Sequence, residues 1–396
     1  MSWLHGERPQ GGHLTINLDA LAANYRLLRE RGGRAEAGAA IKADGYGLGG
    51  VAVARRLMAE GCRTFFVAFL DEALDLRAAG GPLEEANIYV LNGPAPGGLA
   101  DHVAARAWPV LNTLADITAW TRHAAETGRR LPALLHFDTG MNRLGLTREE
   151  AAALEAGAVL LDGLELHGVM SHLAVADEPE HPFNAEQLER FHMVRERFPG
   201  VPVSLANSAG IFLGPDYAGD LTRPGIGLYG GNPFVNAPNP MTPVVTLEAP
   251  ILQIRHVPEH ETVGYGRTYT ARRARRIATL PVGYADGYVR AIGNHGHVWG
   301  AGRRLPVVGR ISMDLMTIDI TEAPGNALRP GDNVELIGTH ITVDEAGQAG
   351  GTFAYEMLTN LGKRYVRRYT GSAGHSTPEE ADRPAAAARG PAGIGG

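Results

Sequence analysis

Short apolar runs alternate with longer amphipathic stretches between about residue 14 and residue 235. This alternation is typical of βαβ units, in which buried parallel strands are joined by helices that cover the sheet. The apolar runs number eight and lie at residues 36–41, 64–68, 87–91, 108–111, 133–137, 164–171, 201–206 and 219–223. Because a (β/α)8 barrel needs eight parallel strands, the pattern predicts a TIM-type barrel in this part of the chain.

Two of the intervening helices carry start and stop signals. Asp19 is predicted to cap the first, and the glycine pair at 32–33 is predicted to end it. Apolar residues at intervals of three predict another helix over residues 184–197, which the Pro-Gly pair at 199–200 would stop. The class is therefore α/β.

The pattern changes after Pro233, where prolines become frequent and alternation with period two replaces helical periodicity. Residues 316–320 and 333–337 are strand candidates, so a second, mostly β domain is predicted. The predicted order is an N-terminal extension, the barrel, the β domain and a disordered tail, at residues 1–13, 14–235, 236–370 and 371–396.

Composition narrows the classes of function. The formal net charge of −6 supplies no basic field, so nucleic acid is not expected as a partner. No apolar run reaches the length of a membrane span, and the N-terminus lacks the apolar core of a secretory signal.

The lone Cys62 cannot form an internal disulfide, which suits a reducing compartment, and we predict a cytoplasmic protein. His295 and His297 have no neighbouring cysteine or carboxylate to complete a ligand set, so no metal is expected.

One lysine stands where a barrel places its active site. Lys42 ends the first predicted strand and is followed by a glycine-rich segment. A partly desolvated lysine there has a lowered pKa and forms a Schiff base with an aldehyde cofactor. On position alone, an ordinary solvated lysine at a strand end is the more frequent case, and both alternatives remain open at this point.

The segment IKADGYGLG, residues 41–49, resembles the pyridoxal-phosphate (PLP) lysine motif of bacterial alanine racemases, which are PLP enzymes of fold type III. Further segments resemble the same family in the same order, and together they cover nearly the whole chain apart from its termini. They are DTGMNRLG, MSHLAVADE, ANSAG, RPGIGLYG, VGYGRTYTA, PVGYADGY and GRISMD, beginning at residues 138, 170, 206, 223, 263, 281 and 309.

The resemblance implies a role for residues of both domains in binding PLP. Lys42 would hold the cofactor, and Arg223 would face its pyridine nitrogen with His172 beside the ring. The guanidinium does not hand over its proton, which suits a racemase better than a transaminase. The resemblance implies that the other cofactor-binding groups, mostly around the phosphate, are Tyr46, Asn207, Ser208, Tyr355 and the N–H groups of Gly225 and Ile226.

Racemisation removes a proton from one face of Cα and returns one to the other, so two acid–base groups are needed. The resemblance supplies Lys42 and, from the partner subunit of a homodimer, Tyr265. It further implies that Arg143 and the main-chain N–H of Met313 bind the substrate carboxylate and that Tyr284 lines the access route. Without the flanking motifs, Tyr265 would be interpreted as a tyrosine packed on a sheet and Arg143 as a surface ion pair.

Two departures from the family pattern concern substrate binding rather than the two bases. Many members have a carbamylated lysine seven residues before the arginine, where this chain has His136. A bound anion such as chloride, or a different hydrogen bond, would then orient Arg143. A histidine is also common after Gly47, where Leu48 stands here.

The resemblance implies interconversion of L-alanine and D-alanine, with D-alanine feeding peptidoglycan synthesis. Alternatives are a racemase of serine or of broader specificity, because a small pocket rejects one added hydroxyl only weakly. A decarboxylase on a similar PLP barrel is another, although such enzymes present a cysteine from the second domain and Cys62 lies in the barrel half. A non-catalytic PLP carrier would not need the second domain.

Overall fold

A parallel sheet curls into a barrel in the N-terminal half of the chain. The computed structural model describes residues 11–95, 97–157 and 161–371. The first ten strands are β1 (His13–Asn17), β2 (Glu36–Ala37), β3 (Ala39–Ala40), β4 (Thr64–Val67), β5 (Asn87–Val90), β6 (Ala107–Leu111), β7 (Leu131–His136), β8 (Leu164–Met170), β9 (Val203–Ser204) and β10 (Leu221–Thr222). Strands β3 to β9 form one seven-stranded parallel sheet in sequence order.

Hydrogen bonds on both sides of β10 close this sheet. β10 pairs in parallel with β2, and the N–H of Gly38 donates to the carbonyl of Thr222 over 3.0 Å. On the opposite side, the N–H of Arg223 donates to the carbonyl of Ala206 over 2.9 Å. β2 and β3 are two parts of one strand position interrupted at Gly38. The eight predicted strands are therefore confirmed in place, and the TIM-type barrel with them.

Helices follow most barrel strands. They are α1 (Leu18–Arg31), the single turn α2 (Lys42–Tyr46), α3 (Gly50–Ala59), α4 (Leu70–Ala78), α5 (Leu99–Ala105), α6 (Leu114–Thr127), α7 (Arg148–Ala156), α8 (Phe183–Arg197) and α9 (Pro215–Ala218). The strands they cover read as continuous apolar runs, as in the fully buried sequence Thr-Phe-Phe-Val of β4. A parallel sheet covered by helices has no solvent-exposed face, which explains why apolar and polar residues do not alternate along its strands.

The cap of α1 differs from the prediction. Asn17 is the capping residue, and its Oδ1 accepts hydrogen bonds from the N–H groups of Asp19 and Ala20, each over 3.0 Å. The prediction of Asp19 as the cap was wrong by two residues, because β1 runs directly into the helix and its last residue is the one with extended backbone. The predicted ends of α1 at Gly32 and of α8 at Arg197 are confirmed.

The second domain is mostly β, as predicted. Its elements are β11 (Val245–Pro250), β12 (Gln253–Val257), β13 (Thr262–Val263), β14 (Tyr269–Thr270), β15 (Arg275–Leu280), β16 (His297–Gly300), β17 (Arg303–Pro306), β18 (Met316–Asp319), β19 (Asn333–Ile337), α10 (Val343–Ala349), α11 (Ala354–Thr359) and β20 (Val366–Thr370). A six-stranded sheet in the order β17-β16-β19-β11-β1-β20 lies beside the three-stranded sheet β12-β15-β18 and the hairpin β13-β14.

Strand β1, near the start of the described chain, pairs with strands of the second domain. It pairs antiparallel with β11 and parallel with β20, so residues 13–17 belong to the sheet of the second domain. The predicted boundaries had placed His13 in the N-terminal extension and residues 14–17 in the barrel. The rest of the predicted N-terminal extension before residue 11, and the predicted tail after Gly371, lie outside the described residues.

Two properties of the described residues bear on other classes of protein. None of the described helices combines the length and the apolar character needed to cross a membrane. Within the same residues, histidine, cysteine, aspartate and glutamate side chains form no group of three that could hold a metal ion.

Candidate active site

A cavity of about 650 Å³ opens at the carboxyl ends of the barrel strands. Ala40, His136 and Met170, the last residues of β3, β7 and β8, line it, and α11 of the second domain contributes Tyr355 and Glu356. The cavity brings together most of the residues predicted for the site, namely Lys42, Tyr46, Arg143, His172, Asn207, Ser208, Arg223, Gly225, Ile226 and Tyr355.

The other three predicted residues lie on the second domain and do not line this cavity. Tyr265, Met313 and Tyr284 are exposed, with 71%, 54% and 42% of their surface accessible. The N–H of Tyr284 donates to the carbonyl of Ser312 over 3.0 Å, which joins the loops of Tyr284 and Met313. Leu315, in the same loop as Met313, is also exposed.

Lys42 begins a left-handed turn. Ala43, Asp44, Gly45 and Tyr46 have φ angles of 54°, 54°, 62° and 55°. The left-handed conformation costs a residue with a Cβ roughly 1–2 kcal/mol, and three of these four residues have one. The turn brings Lys42 and Tyr46, four residues apart, to the same cavity. A regular right-handed helix is therefore replaced by a strained one where the chain enters the site.

Burial lowers the pKa of Lys42, the positive charge of Arg143 lowers it further, and the negative charge of Glu72 partly opposes both effects. A lowered pKa increases the fraction of free amine at neutral pH, and the amine is the form that attacks a carbonyl group. The environment of Lys42 therefore fits a nucleophilic lysine better than a solvated one.

A glycine allows a tyrosine hydroxyl to enter the cavity wall. A Cβ built on Gly225 would lie 2.3 Å from Oη of Tyr46, so a larger residue at 225 would displace that hydroxyl. The ring of Tyr46 stacks on Tyr229 at 4.5 Å between centroids and lies 6.2 Å from the ring of Tyr355. Burial raises the pKa values of Tyr46 and Tyr355, to about 12 for Tyr355, so both hydroxyls keep their protons and can donate.

Ser208 faces the same end of the cavity. Its Oγ accepts hydrogen bonds from the N–H groups of Gly225 over 2.8 Å and Gly227 over 3.1 Å, which leaves its own hydroxyl hydrogen to donate. The N–H of Gly225 is thus already bonded to Ser208 in this structure. Nearby, Asn207 accepts the N–H of Gly210 over 2.9 Å and lines the cavity. Several hydrogen-bond donors gathered at this end suit an anion with several oxygens.

Arg223 is buried across the barrel. Its Nη2 donates to the carbonyls of Ser171 over 2.6 Å and Leu205 over 3.3 Å, and its Nη1 donates to Oγ of Ser204. Its guanidinium also lies 6.0 Å from the ring centre of Phe66. Burial lowers the pKa of Arg223 to about 10, which still leaves it positively charged at neutral pH.

The same Nη2 of Arg223 lies 3.4 Å from Nδ1 of His172. Because a guanidinium only donates, Nδ1 is the acceptor and the imidazole hydrogen is on Nε2. Burial and the charge of Arg223 hold the pKa of His172 well below its usual range. His172 is therefore a neutral imidazole with a donor on its far nitrogen.

A closed loop carries Arg143 to the cavity. The bridge between Phe137 and Leu146 closes the loop, and Oδ1 of Asp138 accepts N–H groups within it. His136 ends the preceding strand and is 8% exposed. Burial, and then the charge of Arg223, lower its pKa to about 4, so His136 is neutral and cannot supply the negative charge of a carbamylated lysine.

Sequence reasoning missed two residues that support the site. Asn112 bonds His136 across 24 positions, and Glu72 bonds the turn of Lys42 across 29 positions. Neither belongs to a segment that resembles the family motifs. A glutamate three residues after a helix start predicts a cap, and Glu72 does cap α4, but its contact with the lysine turn depends on how β3 and β4 lie side by side.

Comparison with known proteins agrees with this arrangement. The family sequence model "Alanine racemase, N-terminal domain" matches residues 16–233. The family sequence model "Alanine racemase, C-terminal domain" matches residues 244–369. An alanine racemase of Methylobacterium sp. is 50% identical over 361 residues, which are 91% of this chain and 98% of the relative. A catabolic alanine racemase of Agrobacterium fabrum is 48% identical over 358 residues, which are 90% and 92% of the two chains.

Among solved structures, the alanine racemase of Bartonella henselae with covalently bound pyridoxal phosphate superposes with a TM-score of 0.87. It is 39% identical in sequence, and the match covers 91% of this chain and all of that one. Both domains, their order and nearly the whole described chain are thus shared with the same group of proteins. The chain belongs to the alanine racemase family.

Proposed function

We propose that this chain is a PLP-dependent alanine racemase that interconverts L-alanine and D-alanine. The observation that carries the proposal is Lys42, a lysine of lowered pKa in a cavity with donors at one end and a buried guanidinium. When bound, PLP supplies an electron sink for the pair of electrons left on Cα. The protein residues then bind, orient and move protons.

The donors of the cavity would hold the cofactor phosphate. Tyr46, Ser208 and Tyr355 offer hydroxyl hydrogens, and the N–H groups of Gly225 and Ile226 complete the set. The Gly225 N–H would then be shared between Ser208 and the phosphate. Charge-assisted hydrogen bonds to a dianion are among the stronger ones in proteins.

Arg223 would face the pyridine nitrogen of PLP. Its contacts with Ser171, Ser204 and Leu205 fix the guanidinium plane, and its remaining charge at neutral pH allows it to donate a hydrogen bond without giving up a proton. Such a donor would leave the ring nitrogen unprotonated, which would favour rapid return of the Cα proton over other reactions.

Lys42 would serve one face of Cα and Tyr265 of the partner subunit the other. Tyr265 does not line the cavity of its own chain and is 71% exposed, as expected of a group that acts in a second subunit. The Nε2 hydrogen of His172 would donate to the oxygen of this tyrosine and ease its ionisation. The positive charge of Arg223, which is hydrogen-bonded to His172, would further favour the ionised form of this tyrosine.

The substrate carboxylate would be held by Arg143 and by the main-chain N–H of Met313 of the partner subunit. Arg143 is positioned for this by the loop that ends at Leu146. Tyr284 of the partner subunit would lie on the access route, since it is joined by hydrogen bonding to the loop of Met313.

Two exposed apolar surfaces support a homodimer with shared active sites. One is the patch of exposed side chains on the hydrogen-bonded loops of Tyr284, Met313 and Leu315, on the domain that also exposes Tyr265. The other is the cavity rim, where Phe353 is 63% exposed. In a two-fold dimer each patch of one subunit can meet the rim of the other. We further propose that the enzyme works in the cytoplasm and supplies D-alanine for peptidoglycan, although two relatives are named catabolic alanine racemases.

The decarboxylase alternative is disfavoured by the position of the cysteine. Cys62 is fully buried in the apolar core and does not line the cavity. Burial also raises the pKa of its thiol to about 12, which makes it a poor proton donor or nucleophile near neutral pH. Serine differs from alanine by one hydroxyl, so we expect the two substrates to differ in rate, which chiral chromatography of both measures directly.

The first experiment tests cofactor and reaction together. The chain contains only two lysines, Lys42 and Lys363, so borohydride reduction of the PLP-loaded protein followed by mass spectrometry identifies the attached lysine without ambiguity. We expect PLP on Lys42, with L-alanine and D-alanine interconverted in chiral chromatography and L-serine converted more slowly. PLP on Lys363, release of carbon dioxide, or no turnover would contradict the proposal.

A mixing experiment tests the shared site. Lys42→Ala and Tyr265→Phe variants are each expected to be nearly inactive. A mixed dimer would contain one site with both defects and one intact site, so random mixing should restore up to about a quarter of normal activity. If mixing restores nothing although mixed dimers are shown to form and both variants remain folded, the two bases come from the same chain and the shared site is wrong.

A further inference from the structure

Glu72 connects two loops at the cavity. It lies in the first turn of α4, and its Oε2 accepts hydrogen bonds from the N–H groups of Ala68 over 2.6 Å and Phe69 over 3.2 Å. Its Oε1 accepts the N–H of Ala43 over 2.5 Å. Ala43 directly follows Lys42. One carboxylate thus ties the end of β4 to the turn that carries the reactive lysine.

This contact supports a strained piece of backbone. Ala43 has a φ of 54°, which residues with a Cβ avoid, and its N–H points at the carboxylate rather than along a regular helix. Hydrogen bonds from N–H groups to a carboxylate are stronger than those between neutral groups. Glu72 is therefore placed to hold the turn in the conformation that brings Lys42 to the cavity.

The same carboxylate acts on the charge of the lysine. Three charged or titratable groups surround Lys42 on different elements: Glu72 on α4, Arg143 on the loop after β7, and His172 after β8. Glu72 is the negative one, and it counteracts the effects of burial and of Arg143 on the pKa of Lys42. Removing its charge should lower that pKa further.

We propose that Glu72 is a positioning residue for Lys42, which holds the left-handed turn through the N–H of Ala43 and places the balancing negative charge beside the lysine. That this positioning helps PLP attach to Lys42 rests on the proposed function. The effects of Glu72 on the Ala43 amide and on the Lys42 ammonium do not rest on it, because both groups exist in the chain without PLP.

The test uses the full chain labelled with [13Cε]lysine. With two lysines in the sequence, the NMR spectrum contains two side-chain signals, and a Lys363→Arg variant assigns them. A pH titration of the PLP-free chain then follows Lys42 with Lys363 as an internal reference. In parallel, hydrogen exchange of the peptide containing Ala43 is measured by mass spectrometry in the PLP-free and PLP-loaded states.

Two variants separate position from charge. In Glu72→Gln, the pKa of Lys42 should fall and the Ala43 amide should exchange at least about tenfold faster, since a charge-assisted bond is lost. In Glu72→Asp, the charge remains but the side chain is one methylene shorter, so exchange should accelerate while the titration of Lys42 moves less. Asp71→Asn, the same loss of charge at the adjacent exposed residue, should change neither.

The outcomes distinguish the two proposals. If Glu72→Gln lowers the melting temperature but leaves both the Lys42 titration and Ala43 exchange unchanged, Glu72 only caps α4 and the inference is wrong. If both readouts move as expected while PLP fails to attach to Lys42 even in the unmodified chain, Glu72 positions Lys42 as inferred and the proposed function fails instead.

Discussion

Nδ1 of His136 lies 2.8 Å from Oδ1 of Asn112, and this contact determines the tautomer of a buried imidazole. The amide nitrogen of Asn112 donates to the carbonyls of Leu91 and Val110, each over 3.0 Å, so its oxygen is left as an acceptor. The hydrogen of His136 must therefore be on Nδ1, and Nε2 carries a lone pair. A neutral acceptor thus occupies the position where the family resemblance implied a carbamylated lysine.

The first prediction concerns this tautomer. In a 1H–15N spectrum of the histidine side chains, His136 should show the Nδ1–H form at pH 7 and should stay neutral down to about pH 5, because burial and Arg223 lower its pKa to about 4. A His136→Gln variant identifies the signal. An Nε2–H tautomer, or a protonated ring at pH 7, would show that the contact with Asn112 has been interpreted incorrectly.

The second prediction concerns stability in acid. Above the ordinary histidine pKa of 6.5, His136 is neutral in both folded and unfolded chains. Between pH 6.5 and about 4, the unfolded chain binds a proton that the folded chain excludes, so stability is lost as the pH falls. The full effect is roughly 3 kcal/mol. Chemical unfolding midpoints should depend less on pH in His136→Gln than in the unmodified chain, whereas the same change at exposed His192 should leave the dependence intact.

The third prediction concerns the cofactor end of the cavity. Gly225→Ala should force Oη of Tyr46 away, because the new Cβ would lie 2.3 Å from it, and PLP should bind about tenfold or more weakly. Tyr46→Phe removes the oxygen that clashes. Adding Gly225→Ala to Tyr46→Phe should therefore weaken PLP binding less than Gly225→Ala does alone. Fully additive losses in a spectroscopic PLP titration would argue against the clash.

The fourth prediction concerns the contact between the loop after Asp286 and the end of α11. Gly287 has a φ of 86°, and a Cβ there would lie 1.7 Å from the carbonyl oxygen of Asn360. Gly287→Ala should cost more than about 4 kcal/mol or prevent folding. Gly351 has a φ of 69° with no atom within 4 Å of the added Cβ, so Gly351→Ala should cost only about 1–2 kcal/mol. If thermal unfolding shows equal losses of stability in the two variants, the backbone conformation and not the clash determines the cost of Gly287→Ala.

Sequence patterns predicted the barrel strands well because these strands are buried on both faces. A run such as Thr-Phe-Phe-Val of β4, which is short and rich in residues that favour strands, fits the interior of a sheet. β1, which is not among the predicted strands, is the opposite case. Its short alternating pattern suits any half-buried strand, and only its partners β11 and β20, more than two hundred residues away, decide which sheet it joins.

Some residues of the candidate site could likewise be recognised from the sequence, whereas the placement of others depends on distant parts of the structure. Lys42, Tyr46, Ser208 and Arg223 stand in segments whose resemblance to a family marks them, and the structure brings them to one cavity. Tyr265 stands in such a segment too, yet it lies away from the cavity of its own chain. Its assignment to the partner subunit remains a prediction.

By itself, the sequence determined the order of the elements, the two-domain organisation and the residues able to carry the chemistry, because hydrophobic periodicity and local motifs are written along the chain. Only the tertiary structure decided that Asn112 sets the tautomer of His136 and that Glu72 holds the turn of Lys42. Hydrogen bonds and charges act over a few ångströms. They therefore depend on which distant segments the fold places side by side, and no local pattern records that.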